Sequence, residues 1–303
     1  MLDTIIIGGG PAALSAAIYA AREQLSFVLI SKDIGGQVAW SSDVENYLGF
    51  SSIRGIDLVK EFRNHLELNN VKIKIEEVLE ILKKKNHFIV KTEKNEFKTK
   101  TILIATGKQS RKLNVFGEEK YLRRGVAYCS TCDAPVFTGL DVTVIGGGNS
   151  ALDSILTLEK YAKKLYLLTN NSKLFGEKQL IDKVNKIKKL TIHYNSEAKE
   201  IIGNGTMVNG LKFLKNGKLI SLKTNGIFIE IGSEPSINFD NLTKKNKWNE
   251  IIVKEMNGIS NKTSIEGIFA AGDVTDISEK QVIVASGDGA KAMLGIIKYL
   301  NLI

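Results

Sequence analysis

A pattern of strand, glycine turn and helix occurs twice in this chain and limits its fold more than any other feature. The apolar residues 4–7 are followed by Gly8 and a helix of small residues, and the apolar residues 141–145 are followed by Gly146 and a second helix. Each helix leads into another apolar run. This order is typical of the βαβ unit of dinucleotide-binding folds. We therefore predict an α/β protein with two Rossmann-like nucleotide-binding domains of the three-layer ββα kind.

The first glycine turn has the spacing G-x-G-x-x-A at Gly8, Gly10 and Ala13. The first glycine permits the tight turn, the second lets the backbone approach a pyrophosphate, and the small third residue lets helix and strand pack closely. The helix N-terminus would then offer its N–H groups and its dipole to the phosphates. Asp33 is a candidate for binding the ribose hydroxyls, with Ser31 or a backbone group as alternatives. Asp33 is equally consistent with a surface turn residue.

The second glycine turn repeats this spacing at Gly146, Gly148 and Ala151. The strand after it ends at Thr169 and is followed by two asparagines. It therefore offers neither an acidic residue for the ribose of NAD nor an arginine for the 2′-phosphate of NADP. The second site has the turn but lacks the residue that would distinguish the two nucleotides.

The chain contains two cysteines, Cys129 and Cys132, in a C-x-x-C pair that is followed directly by Asp133. Such a pair can close a disulfide, and local fields can lower a thiol's pKa and so produce the attacking thiolate. Asp133 could carry the proton that a thiol gains or loses. A zinc site normally has four ligands, and the three histidines are scattered, so we expect no metal. Beside nucleotide turns, the pair favours redox chemistry in a reducing compartment over two unrelated cysteines.

The composition excludes several other classes of protein. With 43% hydrophobic and 25% charged residues, the chain of 303 residues is typical of a globular protein. It has no apolar run of about 18 residues, and its first residues lack the basic region of a signal peptide, so we expect a cytoplasmic protein without a membrane partner. The net charge of +9 is spread along the chain. This favours a solvated surface, or attraction of an acidic protein, over nucleic-acid binding.

Several ordered segments carry a resemblance that extends over nearly the whole chain. They are GGGPAALSAAIYAAR (8–22), IGGQ (34–37), VENYLGF (44–50), ATG (105–107), GVAYCSTCDAPVF (125–137), VIGGGNSALDS (144–154), GIFAAGDVTD (267–276) and KQVIVASGDGAKA (280–292). In these segments the chain resembles the low-molecular-weight thioredoxin reductases and the related flavoprotein subunit of alkyl hydroperoxide reductase. The resemblance implies an FAD-binding domain formed by residues 1–112 and 241–303. A central pyridine-nucleotide and redox-disulfide domain, residues 113–240, would be inserted into it.

The resemblance also implies roles for individual residues. Cys132 would lie nearest the flavin, Cys129 would attack the disulfide of a protein substrate, and Asp133 would be the general acid. The central domain would rotate between a state in which the flavin reduces the disulfide and a state in which the dithiol is exposed. Relatives are homodimers, so we expect a homodimer here. The residues expected to contact FAD are Gly8, Gly10, Ala13, Gln37, Asn46, Thr106, Gly107, Gly272, Asp273, Gln281 and Val282, and those expected to contact the nicotinamide nucleotide are Gly146, Gly148 and Ala151.

The chain departs from the family where NADPH is recognised. NADPH-dependent members have a His-Arg-Arg stretch and a further Arg, whereas this chain has Thr169, Asn170, Asn171 and Phe175, none of which can pair with a 2′-phosphate. NADH-dependent relatives have an acidic residue near that point, which Thr169 does not supply. The sequence therefore leaves two candidates for the electron donor. One is a nicotinamide nucleotide bound through the turn, and the other is a different donor such as reduced ferredoxin. The intact turn favours the nucleotide.

From these features we predict an FAD-dependent disulfide oxidoreductase similar to thioredoxin reductase. It would pass electrons from NADH or NADPH through FAD and the Cys129–Cys132 disulfide to a thioredoxin- or glutaredoxin-like protein. The chain begins at the first predicted strand, without the thioredoxin-like extension of the peroxide-reductase flavoprotein, so we expect a separate acceptor protein. One alternative is the same chemistry with a different donor or partner. Another is a non-catalytic, FAD-bound redox sensor that signals by domain rotation.

Overall fold

The chain forms two compact units in a computed structural model, which describes residues 1–40, 43–44 and 46–303, with the backbone alone at Trp40, Asp43, Thr131 and Cys132. Unit 1 comprises residues 1–109 and 234–303, and unit 2 comprises residues 110–233. Unit 2 is thus inserted into unit 1. The boundaries expected from the resemblance, at 112 and 240, lie a few residues further along the chain.

The strands are numbered in chain order. Up to the first boundary they are β1 (Leu2–Ile7), β2 (Phe27–Ser31), β3 (Asp43–Val44), β4 (Ile53–Arg54), β5 (Ile73–Ile75), β6 (Val78–Lys83), β7 (Phe88–Thr92), β8 (Glu96–Ile104) and β9 (Lys108–Ser110). Unit 2 continues with β10 (Val126–Ala127), β11 (Asp141–Ile145), β12 (Lys164–Leu168), β13 (Leu190–His193), β14 (Ser196–Gly203), β15 (Val208–Lys215), β16 (Lys218–Lys223) and β17 (Gly226–Ile229). The last strands are β18 (Ser233–Pro235), β19 (Lys254–Met256), β20 (Ile259–Lys262) and β21 (Ile268–Ala270).

The α-helices are α1 (Pro11–Arg22), α2 (Gly55–Leu68), α3 (Ser130–Asp133), α4 (Asn149–Glu159), α5 (Lys178–Val184) and α6 (Val282–Leu300). Short 3₁₀ turns span Gly36–Trp40, Ala134–Phe137 and Gly272–Val274. Helix α1 begins directly after the first glycine turn, with Gly10 as its N-cap and Pro11 in its first turn. Proline is well placed there, because the N–H that it lacks would have had no partner within the helix.

The main sheet of unit 1 is built on parallel strands. Strand β1 lies between β2 and β8 and is parallel to both, and β21 is parallel to β8 on its other side. Successive residues of β1 point to opposite faces: Ile6 packs with α1 and α6, whereas Ile5 and Ile7 pack with the β6–β7 hairpin. Because both faces are covered there, these three positions of β1 are apolar in succession instead of alternating with polar residues.

Helices α1 and α6 come from opposite ends of the sequence and cross at very short range. A Cβ atom added to Gly289 on α6 would lie 1.9 Å from the carbonyl oxygen of Ala12 on α1. Only a residue without a side chain fits at this crossing. The two ends of the chain therefore form one helical layer over the sheet.

Unit 2 repeats the same layers. Its parallel sheet has the order β10-β17-β11-β12-β13. On β11, Val144 packs against the cluster that contains α4, and Ile145 packs against the antiparallel sheet β14-β15-β16. In each unit helices cover one face and β-structure covers the other. The predicted α/β fold, with two Rossmann-like ββα domains of which the second is inserted into the first, is confirmed.

The carboxyl ends of the parallel strands meet at one edge of each sheet, which is where open α/β sheets bind ligands. In unit 1 this edge carries Gly8 after β1 and Thr106 after β8. In unit 2 it carries Gly146 after β11, Glu230 after β17 and Cys129 shortly after β10. The fold thus places both glycine turns and the first cysteine at ligand-binding edges.

Candidate cofactor and redox sites

The first glycine turn in unit 1 is closed on one side and open on the other. Gly8 has a φ of +133°, and a Cβ atom added to it would lie 2.2 Å from the carbonyl oxygen of Ala105, so only glycine fits. Ala13 is fully buried. At Gly10, by contrast, no neighbouring atom of the described residues lies within 4 Å of an added Cβ. The turn is therefore open where the backbone would approach a pyrophosphate, directly before α1.

Thr106 lies on the same edge and has a buried hydroxyl that makes no hydrogen bond within the described part of the chain. A buried polar group without a partner costs about 1–3 kcal/mol, which a ligand that bonds to it would recover. Gly107 follows in the left-handed region, with a φ of +66°. The orphaned hydroxyl and the open turn together show that this edge of unit 1 fits a dinucleotide such as FAD.

Gly272 and Asp273 follow β21 on this edge. The Gly272 N–H donates to Asp288 Oδ2 at 2.7 Å, and Asn261 Nδ2 donates to Oδ1 of the same carboxylate at 2.9 Å. Asp288 on α6 thus holds the backbone at Gly272. Burial raises the pKa of Asp273, and the positive charges of Lys280 and Lys108 partly oppose this.

Sequence reasoning missed the charged group formed by Lys108, Glu250 and Lys280 beside Asp273. Lys108 Nζ donates to Glu250 Oε1 at 2.7 Å, and Lys280 Nζ lies 3.3 Å from the same oxygen. The side chains are 16%, 12% and 23% exposed, respectively, so the ion pairs are largely shielded from water. The only local signal was the position of Lys108, directly after the ATG segment.

Four residues that the resemblance assigns to the flavin end of FAD fall into two places in unit 1. Asn46 Nδ2 donates to Gln281 Oε1 at 3.1 Å, and Val282 begins α6 directly after Gln281. Gln37 Nε2 donates instead to the carbonyl oxygen of Lys108 at 2.7 Å. The structure therefore brings Asn46, Gln281 and Val282 together and ties Gln37 to the segment after Gly107.

Asp33 and its alternative Ser31, the candidates for the ribose contact, adjoin the first turn at the end of β2. A Cβ atom added to Gly9 would lie 2.6 Å from Ser31 Oγ and 1.9 Å from the carbonyl oxygen of Asp33. The Asp33 residue is exposed. Ser31 and Asp33 thus both remain candidates for this contact.

The second glycine turn, in unit 2, is built like the first. Gly146 has a φ of +152°, and a Cβ atom added to it would lie 2.2 Å from the carbonyl oxygen of Glu230. Ala151 is fully buried. The difference is at Gly148, where the Phe175 ring lies 3.1 Å from the position of an added Cβ. The second turn is therefore covered where the first is open.

The end of β12 offers no charge to a nucleotide. Thr169 is buried, whereas Asn170 and Asn171 are exposed. Asn171 Nδ2 donates to Asn170 Oδ1 at 2.9 Å, so the two amides partly satisfy each other. Their uncharged side chains cannot form an ion pair with a 2′-phosphate.

The C-x-x-C segment follows β10. Cys129 is half-buried and disulfide-bonded, and the Asp133 N–H donates to its carbonyl oxygen at 3.2 Å across the short helix α3. The side chain of Cys132 lies outside the described residues. Burial raises the pKa of Asp133, and the positive charge of Arg123 partly opposes this. A carboxyl group with a raised pKa keeps its proton closer to neutral pH, as a general acid requires.

A buried hydrogen-bonded chain, which sequence reasoning missed, connects the C-x-x-C segment with the end of β17. Ser154 Oγ lies 2.8 Å from Ser130 Oγ and 2.5 Å from Glu230 Oε1. Burial raises the pKa of Glu230 to about 7, although the hydrogen bond from Ser154 lowers it in part. The available signal was an acidic residue directly after the wholly apolar strand β17.

The residue before Cys129 is anchored by the buried carboxylate of Glu118. The Tyr128 hydroxyl donates to Glu118, which is 3% exposed and also accepts the N–H groups of Leu113 at 2.9 Å and Asn114 at 2.6 Å. Burial and this hydrogen bond raise the pKa of Tyr128, so its hydroxyl stays a donor. These bonds fix the backbone immediately before Cys129.

Among residues 1–40, 43–44 and 46–303, no helix is long and apolar enough to cross a membrane. The same ranges contain no group of three or more His, Cys, Asp and Glu side chains that could hold a metal ion.

Known proteins resemble this chain over nearly its whole length. The family model described as pyridine nucleotide-disulphide oxidoreductase matches residues 2–289. The chain is 37% identical to a thioredoxin reductase of Ureaplasma parvum, over 99% of this chain and 97% of that protein. It is 33% identical to an alkyl hydroperoxide reductase subunit of Escherichia coli, over 98% of this chain and 58% of that protein. Among solved structures, it matches a thioredoxin reductase of Lactococcus lactis with a TM-score of 0.84, 32% identity and 100% coverage of both chains.

The matched residues include both glycine turns and the C-x-x-C pair. The resemblance to thioredoxin reductases and to the peroxide-reductase flavoprotein, inferred from the ordered motifs, is confirmed. The chain is accordingly an enzyme of this class and belongs to the pyridine nucleotide-disulphide oxidoreductase family.

Proposed function

We propose that this chain is an FAD-dependent disulfide reductase that uses Cys129 and Cys132 as its redox pair and reduces a thioredoxin- or glutaredoxin-like protein. One observation carries the proposal. Cys129 is disulfide-bonded at the carboxyl edge of a nucleotide-binding sheet, and the half-buried carboxyl of Asp133 lies in the same short helix. A redox pair beside a proton donor is what thiol–disulfide exchange requires.

The open edge of unit 1 supports FAD as the cofactor. Gly8, Gly10 and Ala13 would hold its pyrophosphate at the N-terminus of α1, and the orphaned hydroxyl of Thr106 would gain a partner. By the resemblance, Asp273 would contact the ribityl region. When bound, FAD supplies two-electron transfer between a donor and a disulfide.

The thiol chemistry then belongs to the two cysteines. In the dithiol form, the Cys129 thiolate attacks one sulfur of the partner's disulfide, forms a mixed disulfide and releases the other sulfur as a thiolate. The Cys132 thiolate next attacks the Cys129 sulfur, which re-forms the enzyme disulfide and releases the first sulfur of the partner. In each exchange Asp133 accepts the proton of the attacking cysteine thiol and donates it to the leaving thiolate of the partner, so that two protons and two electrons pass to the partner in total.

NADH is the proposed donor, with reduced ferredoxin as the second candidate. The G-x-G-x-x-A turn at Gly146 favours a nucleotide, and the uncharged residues Thr169, Asn170 and Asn171 disfavour the 2′-phosphate of NADPH. The ring of Phe175 covers the second turn, and this favours ferredoxin, because ferredoxin does not need to bind there.

From the family resemblance we further propose a cytoplasmic homodimer. Light scattering would measure its mass.

The test is an anaerobic titration of the purified yellow protein with NADH, NADPH and reduced ferredoxin, followed by the flavin absorbance. If NADH or reduced ferredoxin bleaches the flavin and NADPH does so poorly, the one that bleaches it is supported as the donor. Efficient bleaching by NADPH would contradict the interpretation that Asn170 and Asn171 disfavour a 2′-phosphate.

A second experiment measures the reduction of a thioredoxin disulfide by the wild type and by Cys129→Ser and Cys132→Ser. The proposal expects both variants to keep FAD and lose turnover. Unchanged turnover in either variant would contradict the role of the pair, and absence of turnover in the wild type would favour the sensor.

A further inference from the structure

The two glycine turns of this chain are close copies, so each serves as a reference for the other. A Cβ atom added to the first glycine of either turn would lie 2.2 Å from a backbone carbonyl oxygen. At the middle glycine, the added Cβ would lie 2.6 Å from a hydroxyl, that of Ser31 in unit 1 and that of Thr169 in unit 2. The two turns thus have these distances to neighbouring atoms in common at their first two glycines. A difference at the third glycine therefore comes from the residues that lie beside it.

That difference is the ring of Phe175. Beside Gly10 the space is open within the described residues, whereas beside Gly148 the added Cβ would lie 3.1 Å from Phe175 Cε2. The ring also reaches Gly147, where its Cε1 would be 3.0 Å from an added Cβ. Glycine at these positions normally leaves room for a pyrophosphate to approach the backbone. In unit 2 an aromatic ring of the chain itself takes this room.

The segment that carries Phe175 is fastened to the turn. The Phe175 N–H donates to the carbonyl oxygen of Gly147 at 3.0 Å. The Glu177 N–H donates to Asn149 Oδ1 at 2.7 Å, and Asn149 Nδ2 donates back to Glu177 Oε1 at 3.2 Å. A Cβ atom added to Gly176 would lie 2.4 Å from Leu152, so this glycine permits the close approach. These contacts hold the backbone of the segment at the N-terminus of α4, from where the Phe175 side chain reaches the turn.

We propose that Phe175 is a plug on the second glycine turn, and that a dinucleotide reaches the turn only after the ring rotates away. The residue is 61% exposed, so solvent is available to receive the ring while the backbone contacts stay in place. The plug lowers the affinity for any ligand that carries a pyrophosphate, with or without a 2′-phosphate. This inference rests on the proposed function, because it assigns the second turn to the electron donor, and it identifies Phe175 as the residue that limits nucleotide binding there.

The rival role for an exposed aromatic residue at such a site is a platform on which the adenine ring stacks. Removing the ring changes the nucleotide affinity in opposite directions for the two roles. A plug that is removed raises the nucleotide affinity, since the apparent dissociation constant is the intrinsic one divided by the fraction of open molecules. A platform that is removed lowers the affinity, because stacking on an aromatic ring contributes to binding.

The experiment measures binding of NAD⁺, NADP⁺ and ADP-ribose to the oxidised, FAD-loaded full chain by isothermal titration calorimetry, so that no electron transfer occurs. The variants are Phe175→Ala, Phe175→Leu and the matched control Phe116→Ala, which removes another exposed phenylalanine of unit 2. If the open state is populated at about one tenth, Phe175→Ala binds all three ligands about 10-fold more tightly. Phe175→Leu should fall between wild type and Phe175→Ala, and the control should match wild type.

An unchanged or weaker affinity in Phe175→Ala overturns the plug. The outcome is separable from that of the proposed function, because binding to the oxidised protein does not depend on the cysteines. If Phe175→Ala binds the nucleotides more tightly but the protein reduces no disulfide, the plug is supported and the reductase assignment is contradicted. Wild-type nucleotide affinity in Phe175→Ala, together with full disulfide turnover, would contradict the plug and support the reductase assignment.

Discussion

The carboxyl group of Glu230 lies 2.5 Å from the hydroxyl of Ser154, which in turn lies 2.8 Å from the hydroxyl of Ser130. Ser154 has one hydroxyl proton, so it donates to one neighbour and accepts from the other. When Glu230 is ionised it accepts from Ser154, and when it is protonated it can donate to Ser154. The protonation state of Glu230 therefore sets the direction of the hydrogen bonds beside Cys129.

Glu230→Gln should stabilise the protein at high pH and not at low pH. The folded state raises the pKa of Glu230 from the ordinary 4.5 to about 7, so it favours the neutral form. This preference is fully present below pH 4.5 and is lost as the pH rises to about 7. By linkage, the wild type loses up to about 3 kcal/mol over that window, relative to a neutral side chain. Urea unfolding at pH 5 and pH 8 measures the difference.

Glutamine keeps hydrogen-bonding atoms for Ser154 but cannot ionise. The free energy of unfolding of Glu230→Gln, relative to wild type, should therefore increase from pH 5 to pH 8. The exposed Glu159 on α4 provides the control, since Glu159→Gln should show no such trend. A pH-independent difference in Glu230→Gln would rule out the neutral carboxyl.

Gly10→Ala should separate folding from cofactor binding. The Gly10 backbone has a φ of −84°, which alanine adopts, and an added Cβ meets no described neighbour. The variant apoprotein should therefore unfold within about 0.5 kcal/mol of wild type, as substitutions away from packed features do. Its methyl group occupies the position of the expected pyrophosphate, so FAD should bind at least about 10-fold more weakly, a loss of about 1.4 kcal/mol. Fluorescence titration of the apoprotein with FAD measures this.

The contrasting variant is Gly8→Ala in the same turn. Its Cβ would lie 2.2 Å from a backbone carbonyl oxygen at a φ of +133°, so the apoprotein itself should be destabilised. Equal FAD affinity in Gly10→Ala and wild type would place the cofactor elsewhere.

Asp133→Asn should slow the reduction of the partner's disulfide. General acids contribute about 10²- to 10⁴-fold to rate, and asparagine cannot supply the proton. Because burial raises the pKa of Asp133, the wild-type rate should fall as the pH rises through that pKa, and Asp133→Asn should lose this dependence. Stopped-flow oxidation of the pre-reduced dithiol by thioredoxin measures the step. Asp182→Asn on the exposed side of α5 is the control, and a wild-type pH profile in Asp133→Asn would contradict the role.

The sequence predicts the fold and both turns correctly because the relevant signals are local. Each turn is a spacing of six residues at the end of an apolar run, and where β1 is covered on both faces, at residues 5–7, every position is apolar. The C-x-x-C pair is equally local. Its surroundings are consistent with the proposed chemistry, but the individual roles of the site residues stay predictions.

The contacts that sequence reasoning missed join residues far apart in the chain. Ser154 and Glu230 meet because β17 lies beside β11 in the sheet, and Lys108 meets Glu250 although 142 positions separate them. The position of Phe175 depends on how one loop folds back onto a helix end. None of these pairings has a periodic pattern that would reveal it before the strands are ordered.

The crossing of α1 and α6 has a consequence for how the protein is made. Strand β8 needs β21 as a neighbour, and α1 needs α6 to cover it, yet β21 and α6 follow unit 2 in the chain and leave the ribosome after it. Unit 2 is synthesised earlier and contains every strand of its own sheet. During translation unit 2 can therefore complete its folding before α6 has been synthesised and unit 1 can fold. The edge of unit 1 that carries Thr106 is completed only after that.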